Sequence, residues 1–254
     1  MFDGLIQAFH DTVSGFSNAV FVSVIKEDRY TYLVDGLLVS LQLTLIAAAI
    51  GVVIGLLVAV AKLQNLDSPS KNAFTRGLRK WIVGIANGYV SIIRGTPAVV
   101  QLLVIYFIIF GRVLQPIFPG VPDIMIASIA FGINSGAYVA EIIRAGIMAV
   151  DKGQTEAGRS LGLSSVTTMM FIVIPQAVKN VLPALVNELI VLFKETSVAG
   201  YIGLMDLTKG ATTIGAVAYD YMIPLLCAAY IYFIITTVMT AGMNKLERRM
   251  RRGD

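Results

Sequence analysis

Histidine, cysteine and charged residues are scarce in this sequence, and their scarcity excludes several classes of protein. The 254 residues include one cysteine, Cys227, and one histidine, His10, which leaves no disulfide framework and no His/Cys metal site to build. Only 14 % of the residues are charged, whereas soluble domains typically have about 25 %. Since 56 % of the residues are hydrophobic, we expect the chain to lie largely in lipid.

Long apolar runs make up most of the remaining chain and define its fold class. From Leu37 onward, runs of roughly 20 residues recur, which is the length that a helix needs to cross the hydrocarbon core. A β-barrel would instead show short segments of alternating polarity. We therefore predict an all-α integral membrane protein with five transmembrane helices. Their predicted ranges are 35–61, 81–110, 123–150, 181–196 and 221–243.

The second predicted span is too long for one straight helix. Residues 81–110 would measure about 45 Å as a straight helix, whereas the hydrocarbon core is about 30 Å thick. Gly95 and Pro97 lie inside this range. Because proline and glycine are common causes of sharp helix bends, we predict a kink at these two residues.

The fourth predicted span follows a proline-containing apolar stretch. Pro175 and Pro183 lie in it, and as one helix the whole stretch would again exceed the bilayer thickness. We therefore place residues 166–180 along the inner interface, before the span begins. Residues 197–215, which are rich in glycine, are predicted to form a loop.

Residues 1–32 precede the first span and form a separate extension. Asp3 stands where a secretory signal has basic residues, so we expect no cleaved signal. Helical spacing of the apolar residues predicts an amphipathic helix, which either lies on the membrane surface or packs on the helical bundle. Those residues are Phe2, Leu5, Ile6, Phe9, Val13, Phe16, Val20 and Val24.

Lysine and arginine are unevenly distributed between the ends of the predicted spans, which indicates the orientation. An odd number of spans puts the two chain ends on opposite sides. With the amino end outside, thirteen basic residues lie in inner segments and four in outer segments, as the positive-inside rule requires. Topology therefore explains the basic tail, residues 248–254, better than nucleic-acid binding does. The inner residues are Lys62, Lys71, Arg76, Arg79, Lys80, Arg144, Lys152, Arg159, Lys245, Arg248, Arg249, Arg251 and Arg252, and the outer ones are Lys26, Arg29, Arg112 and Lys209.

The longest polar segment on the predicted inner side, residues 151–165, has the ends of a short helix. Asp151 and Gln154 have the spacing of a capping box, and Glu156 would lie near the positive end of the helix dipole. Gly162 favours the left-handed conformation that often ends a helix. The sequence therefore predicts a short helix that stops at Gly162.

The surface of this short helix suits contact with another molecule. Ala157 and Gly158 are small and allow a second surface to approach closely. Leu161 lies one helical turn after Ala157 and offers an apolar contact. From these residues alone, the helix would either dock into a groove of another protein or lie on the membrane.

The same segment begins a motif that resembles the EAA loop of ATP-binding cassette (ABC) importer permeases. The family pattern is Glu-Ala-Ala, three residues, Gly, nine residues, Ile, one residue and Leu-Pro. This sequence differs from the pattern at two residues: Gly158 stands in place of the second Ala, and Ile174 stands in place of Leu. It has Glu156-Ala157-Gly158, Gly162, Ile172 and Ile174-Pro175 at the family spacing.

Other segments resemble the polar amino acid uptake branch of that superfamily. They occur in the family order, and the resemblance runs from about Leu33 to Glu247. The segments are Arg94-Gly95-Thr96-Pro97 with Gln101-Leu102, residues 136–147, Lys152-Gly153-Gln154, Ile174-Pro175-Gln176-Ala177, and Asn187 with Lys194-Glu195-Thr196-Ser197.

The resemblance implies the type I ABC importer permease fold and a transport function. It implies a multi-pass permease in the bacterial cytoplasmic membrane, paired with an identical or paralogous second copy. It also implies an extracytoplasmic amino-acid-binding protein and a cytoplasmic ATPase subunit on which the coupling helix rests. The implied coupling residues are Gln154, Glu156, Ala157, Gly158, Leu161 and Gly162.

The chain itself is not expected to be an enzyme. It has no Gly-x-x-x-x-Gly-Lys-Ser/Thr loop to cradle phosphates, so ATP and Mg²⁺ are expected to be bound by the partner ATPase, and no cofactor is expected here. The predicted organisation is an extension (1–32), a transmembrane domain (33–247) and a basic tail (248–254).

Polar side chains at mid-bilayer depth are candidates for substrate contacts, because charged groups there cost about 2.5–3.5 kcal/mol on insertion scales and should face the bundle interior. Asn134 lies roughly 16 Å along the third span, near the midplane. Glu188 lies about 10 Å along the fourth span, where its carboxylate either receives a substrate ammonium or bonds to another helix. Gln101 and Tyr138 are further candidates, whose alternative role is to hold helices together.

Two other pairs in the spans have structural interpretations. Glu141 and Arg144 are three residues apart on one helix face and about 27 Å along the third span, which favours an ion pair or an anchor for the coupling loop at the inner boundary. Gly51 and Gly55 form a small-xxx-small pair that predicts close helix packing.

Two other classes of protein fit the sequence less well. A secondary transporter or channel is expected to show internal repeats or a string of membrane carboxylates, and five spans with one long inner loop show neither. An intramembrane enzyme would need metal ligands, paired carboxylates or a nucleophilic serine motif, and the sequence offers none of these.

Overall fold

The computed structural model describes residues 14–15, 17–63 and 73–251, which are mainly helical, so the predicted all-α class is confirmed for them. π-helical turns (Phe21–Ile25, Val104–Leu114, Met169–Val173) and 3-10 turns (Lys26–Asp28, Thr196–Ile202) occur beside the α-helices. The α-helices are α1 (Tyr30–Leu63), α2 (Ala73–Arg94), α3 (Ala98–Leu103), α4 (Asp123–Met148), α5 (Lys152–Ser160), α6 (Ser165–Thr168), α7 (Ile174–Glu195), α8 (Leu207–Ala218) and α9 (Met222–Arg251).

Several helical runs are long and apolar enough to cross a membrane. Four do so as unbroken runs, and a fifth is a pair of helices that meet at a bend of 109°. The predicted number of five is therefore reached when the bent pair counts as one span. The unbroken runs are Tyr30–Leu63, Asp123–Met148, Ser165–Ile202 and Met222–Met250, and the pair is Phe74–Arg94 with Ala98–Leu114.

The bend confirms the predicted kink. α2 ends at Arg94 and α3 begins at Ala98, so the break falls on Gly95 to Pro97. Pro97 has an extended backbone (φ −65°, ψ 137°) immediately before α3. Proline has no backbone N–H. Because the first N–H groups of a helix have no partner inside the helix, a proline at this position costs α3 no hydrogen bond.

The predicted start of the fourth span at residue 181 does not coincide with a helix boundary, whereas the placement of residues 166–180 along the inner interface stays a prediction. The helical run Ser165–Ile202 continues without a break at residue 180. Pro175 lies two residues after the π-helical turn Met169–Val173, within this continuous run, and Pro183 lies inside α7. In membrane proteins, neighbouring helices and side chains commonly satisfy a carbonyl that a proline leaves open, so a proline inside such a helix can be tolerated.

The predicted loop at 197–215 was wrong, because α8 and a 3-10 turn occupy it. The Asp206 side chain caps α8 by accepting a hydrogen bond from the Lys209 amide (2.8 Å). Leu207, Ala211 and Ile214 follow at helical spacing and are fully buried. The glycine content concealed this pattern.

The other predicted bounds differ at the helix ends. α1 begins before residue 35, and α4 ends two residues before the predicted end at 150. α9 continues through Lys245 and Arg248 to Arg251, so the described part of the basic tail is helical. Residues 1–13 and 16 of the predicted amino-terminal helix, as well as Arg252, lie outside the described residues.

The chain divides into two compact units, Met1–Gln42 with Thr196–Thr237, and Leu43–Glu195 with Val238–Asp254. The predicted boundaries at 32 and 247 follow the family resemblance instead and stay a prediction.

The first unit has an apolar core around α8. Gly210 faces the backbone carbonyl of Tyr32 so closely that a Cβ atom would collide with it. Asp206 is fully buried, and its Oδ2 has no hydrogen-bond partner among the described residues. Burial raises the pKa of its carboxyl to about 6, although the Lys209 amide opposes that rise. The core residues are Val24, Leu33, Leu207, Ala211, Ile214, Ile223 and Ala228.

The second unit is built around α4, which is the most buried of the unbroken spans. At Gly51 an added Cβ would lie 3.1 Å from the Cβ of Ser135, and at Gly55 it would collide with Val139. The predicted close packing at this glycine pair is therefore confirmed, with α4 as the partner helix. This packing holds the polar side chains of α4 in fixed positions.

Candidate functional site

The polar helix α5 begins at a side-chain cap. Asp151 Oδ1 accepts a hydrogen bond from the Gly153 amide (2.6 Å), and the Asp151 carbonyl accepts one from the Gln154 amide (3.0 Å). These bonds satisfy amide groups that have no partner inside the helix. The predicted cap at Asp151 is therefore present.

α5 ends in a Schellman motif. Gly162 has a φ of +83°, and its amide donates to the Arg159 carbonyl (3.0 Å). The Leu163 amide donates to the Gly158 carbonyl (3.1 Å), and Arg159 Nη1 donates to the Leu163 carbonyl (3.0 Å). Glycine adopts this left-handed conformation without steric cost, so the sequence ends the helix where it was predicted to end.

One face of α5 is attached to the helical run that follows it. A Cβ on the buried Gly158 would lie 2.7 Å from Thr168 Cγ2 and 3.1 Å from Ile172 Cδ1. One turn earlier, Gln154 Oε1 accepts a hydrogen bond from Gln176 Nε2 (3.2 Å). The small residue at 158 therefore serves contact with the chain's own helix, and this contact explains why Gly158 and Ile172 belong to one motif.

The other face of α5 is open. Glu156 and Ala157 are exposed, and Leu161 is 81 % exposed. An isolated exposed leucine is ordinary, but this one stands beside a small residue and a carboxylate at the end of a rigid helix. Of the six residues predicted for coupling, these three form the available surface, whereas Gln154, Gly158 and Gly162 hold the helix in place.

Gln101 closes the break between α2 and α3. Its Nε2 lies 2.7 Å from the Ile93 carbonyl, 3.0 Å from the Thr96 carbonyl and 2.7 Å from Thr96 Oγ1. The bend leaves these carbonyls without helical partners, and in an apolar medium an unpaired carbonyl is costly. Gln101 is buried and has a structural role at the bend.

Asn134 is tied to Gln101 in a fixed direction. The Gln101 amide nitrogen faces carbonyls, so its Oε1 faces Asn134 and accepts from Asn134 Nδ2 (2.9 Å). The amide orientation of Asn134 follows from this contact. Its Oδ1 is buried and has no hydrogen-bond partner among the described residues. An unpaired acceptor therefore lies within α4.

Glu188 on α7 is bonded to a residue that the sequence analysis missed. Ser135 Oγ donates to Glu188 Oε1 (2.9 Å), and Ser135 itself is buried. No ion pair of Glu188 occurs in the part of the chain that the structure describes. Ser135 directly follows Asn134 in a run of small residues, and a hydroxyl inside such a tightly packed helix was the available signal.

Tyr138 contacts a cation at the end of α2. The Arg94 guanidinium carbon lies 5.3 Å from the centroid of the Tyr138 ring. This distance is within the range of a cation–π interaction. Tyr138 lies one turn after Asn134 on α4, so three of the four candidate substrate residues are connected through this helix and the bend.

Glu141 lies between two cations. Its Oε2 pairs with Arg144 Nη2 (2.8 Å), as the three-residue spacing predicted, and its Oε1 pairs with Lys62 at the end of α1. The contact with Lys62 was not predicted, because residues so distant in sequence give no local signal.

Among the described residues, no group of three His, Cys, Asp or Glu side chains is arranged to hold a metal ion.

These features define a class: a multi-pass all-α membrane protein in which a short polar helix, capped at both ends and open on one face, joins two apolar spans. The family model for the binding-protein-dependent transport system inner membrane component matches residues 51–252. The chain belongs to this family of transport permease components, which confirms the family predicted from the sequence motifs.

Two relatives illustrate the sequence similarity. A putative glutamine transport system permease protein, GlnP, of Rickettsia conorii is 41 % identical over 221 residues, which cover 86 % of this chain and 93 % of the relative. The arginine transport system permease protein ArtQ of Bacillus subtilis is 35 % identical over 231 residues and covers 88 % of this chain and 94 % of its own length.

Solved structures show the same fold. The crystal structure of an amino acid ABC transporter with histidines aligns with a TM-score of 0.77 and 42 % identity, covering 90 % of this chain and 98 % of that one. An inward-facing structure of the MetNI methionine ABC transporter aligns with a TM-score of 0.71 at 20 % identity, covering 89 % of this chain and 99 % of that one.

Proposed function

We propose that this chain is the permease subunit of an importer that carries a polar amino acid across the bacterial cytoplasmic membrane, driven by ATP hydrolysis in a separate subunit. The observation that carries the proposal is the attachment of α5 by one face, at Gly158 and Gln154, while Glu156, Ala157 and Leu161 remain open on the other. A helix that must transmit movement needs both properties.

The proposed coupling is mechanical. Closure of a cytoplasmic ATPase subunit would displace α5, and the contacts at Gly158 and Gln154 would pass the displacement to the run Ser165–Ile202. This run carries Glu188, whose partner Ser135 lies on α4. Rigid-body movement of these helices would alternate access to a central site.

The proposed substrate is a polar amino acid. Relatives are named for glutamine, arginine and cystine, which share an α-ammonium and an α-carboxylate. Glu188 is proposed to receive the ammonium, because a carboxylate inside the membrane needs a cationic or hydrogen-bonding partner. Asn134, Gln101 and Tyr138 are proposed to shape the site beside it.

The proposed assembly follows from the same function. ATP and Mg²⁺ are bound by the ATPase partner, an extracytoplasmic amino-acid-binding protein delivers the substrate, and a second permease copy or paralogue completes the pathway. The amino end lies outside and the carboxyl end inside, since the positive-inside rule favours that orientation.

Reconstitution tests this function. Proteoliposomes containing the chain, its ATPase subunit and the binding protein are expected to accumulate radiolabelled glutamine, arginine or cystine, and omission of any one protein is expected to abolish uptake. ATP hydrolysis should rise when binding protein and substrate are both present. Uptake by the chain alone, driven by an ion gradient, would place it among secondary transporters instead.

A further inference from the structure

A cavity of about 340 Å³ lies in the unit built around α4, and none of the roles described above uses it. Its volume falls in the range of about 300–1,000 Å³ that is typical of ligand sites. Four aromatic rings and one carboxylate line it, those of Tyr106, Phe107, Phe110, Phe118 and Asp123.

The π-helical segment Val104–Leu114 creates one wall of this cavity. The Gln115 amide donates to the Phe110 carbonyl (2.7 Å), a bond between residues five apart that marks the wider π-helical turn. Because the turn is wider, Tyr106, Phe110 and Gln115 lie on the same side. π-Helical segments are rare and often accompany functional sites.

The aromatic rings form a concave surface with accessible faces. The Tyr106 and Phe107 rings stand edge to face, with centroids 5.0 Å apart and planes at 85°. Phe107 is 53 % exposed, and Phe118, in the turn before α4, is 59 % exposed. Such faces attract cations through the negative potential of the ring centre.

Asp123 gives the cavity a negative charge that is only partly used. Its Oδ1 accepts a hydrogen bond from the Tyr106 hydroxyl (2.8 Å), and within the described chain its side chain makes no other hydrogen bond or ion pair. The side chain is exposed, so Oδ2 is accessible. No lysine, arginine or histidine lines the cavity among the described residues.

We propose that this cavity binds the ammonium or guanidinium group of a lysine or arginine side chain on the extracytoplasmic binding protein. A carboxylate beside several aromatic faces is the chemistry that recognises such a cation. A free amino acid would bring a carboxylate, and a zwitterionic lipid headgroup a phosphate, and the cavity lining has no cation to pair with either. A protein side chain brings the cation alone.

The proposal rests on the proposed function, because the predicted orientation puts the start of α4 on the outer side of the membrane. It goes further by naming the contact through which the delivering protein is held. Charged residues at the rim of an interface mainly affect the encounter rate and its salt dependence. The negative charge of Asp123 should therefore influence docking of the binding protein more than turnover.

The first test uses a small probe and no partner. The permease complex in lipid nanodiscs is titrated with Nα-acetyl-L-lysine N-methylamide, which has the lysine cation without a carboxylate, and binding is followed by saturation-transfer NMR. Binding is expected for this probe, and none for the neutral norleucine analogue. Asp123→Asn should abolish it, whereas Asp28→Asn, which removes an exposed acid elsewhere, should not.

The aromatic contribution has its own variant. Phe118→Leu removes one exposed ring outside the spans and is expected to weaken probe binding about two- to five-fold. If free L-lysine or phosphoethanolamine binds as well as the probe, or if Asp123→Asn leaves the titration unchanged, the cavity does not select a lone side-chain cation and the proposal is wrong.

The second test uses the binding protein itself. In proteoliposomes, Asp123→Asn is expected to raise the half-saturating concentration of binding protein for ATPase stimulation roughly three- to five-fold, and to reduce its dependence on salt. An unchanged half-saturating concentration would overturn the assigned partner. If the binding protein does not stimulate ATP hydrolysis even by the unaltered complex, the proposed function fails. Probe binding is measured without the binding protein, so it tests the cavity separately.

Discussion

Substrate-stimulated ATP hydrolysis is expected to fall at least about ten-fold in complexes that contain Gly162→Pro. Gly162 has a φ of +83°, whereas proline fixes φ near −65°, and proline also removes the amide that donates to the Arg159 carbonyl. The Schellman motif would not form, and the end of α5 would change direction. Gly162→Asn keeps the amide and tolerates the left-handed conformation, so it is the matched control and is expected to retain most of the stimulation.

Glu156→Lys tests the open face without disturbing the helix. Glu156 is exposed and has no ion pair among the described residues, so the substitution should leave stability within about 0.5 kcal/mol. Stimulated hydrolysis is nevertheless expected to fall at least about ten-fold. A surface of the ATPase that receives the Glu156 carboxylate would repel a lysine, and such like-charge contacts cost several kcal/mol. Arg249→Glu, an exposed reversal on α9, is the control. Undiminished stimulation in Glu156→Lys would remove this face from the coupling path.

Glu188→Gln is expected to impair uptake. The substitution keeps an oxygen that accepts from Ser135 but removes the negative charge, so the helix contact survives while the ammonium partner is lost. Hydrogen bonds to charged groups contribute about 1.5–3 kcal/mol, which corresponds to a rise in KM of at least about ten-fold. Initial uptake rates across a range of substrate concentrations measure this change.

Ser135→Ala is the matched variant for Glu188. It removes the hydroxyl that fixes the carboxylate and leaves the charge in place. If Glu188 serves substrate, Ser135→Ala should lower uptake less than Glu188→Gln. If Glu188 serves only helix contact, Ser135→Ala should reduce thermal stability and Glu188→Gln should leave KM and stimulated hydrolysis unchanged.

Local features of the fold were predictable because their signals lie in adjacent residues. The bend at Gly95 and Pro97 followed from the backbone limits of glycine and proline together with the bilayer thickness. The helix between Asp151 and Gly162 followed from its caps, since the residues at both ends have strong positional preferences.

The errors arose where length and composition were used in place of local pattern. Bilayer thickness was taken to limit the run Ser165–Ile202, but a helix can exceed that thickness by tilting or by extending into water. Glycine content suggested a loop over α8, although Asp206 and the spacing of Leu207, Ala211 and Ile214 predict a capped helix.

The polar contacts were not predictable, since they join residues that are distant in the sequence. Ser135 meets Glu188, and Lys62 meets Glu141, only after α4 is packed against its neighbours. The sequence identified most polar members of these groups from the cost of burying them. It did not identify their partners, because pairing depends on helix rotation, which small residues such as Gly51 and Gly55 determine through close packing.

Cross-linking from Leu161 tests the central claim most directly. The sequence has one cysteine, so Cys227→Ser gives a background in which Leu161→Cys introduces a single, 81 % exposed attachment point for a photoactivatable maleimide. Tyr219→Cys, at a site that is 95 % exposed in the other compact unit, is the control. In complexes that are active in uptake, label at 161 should form an adduct with the ATPase subunit and label at 219 should not. Absence of that adduct from position 161 in an active complex would contradict coupling through α5.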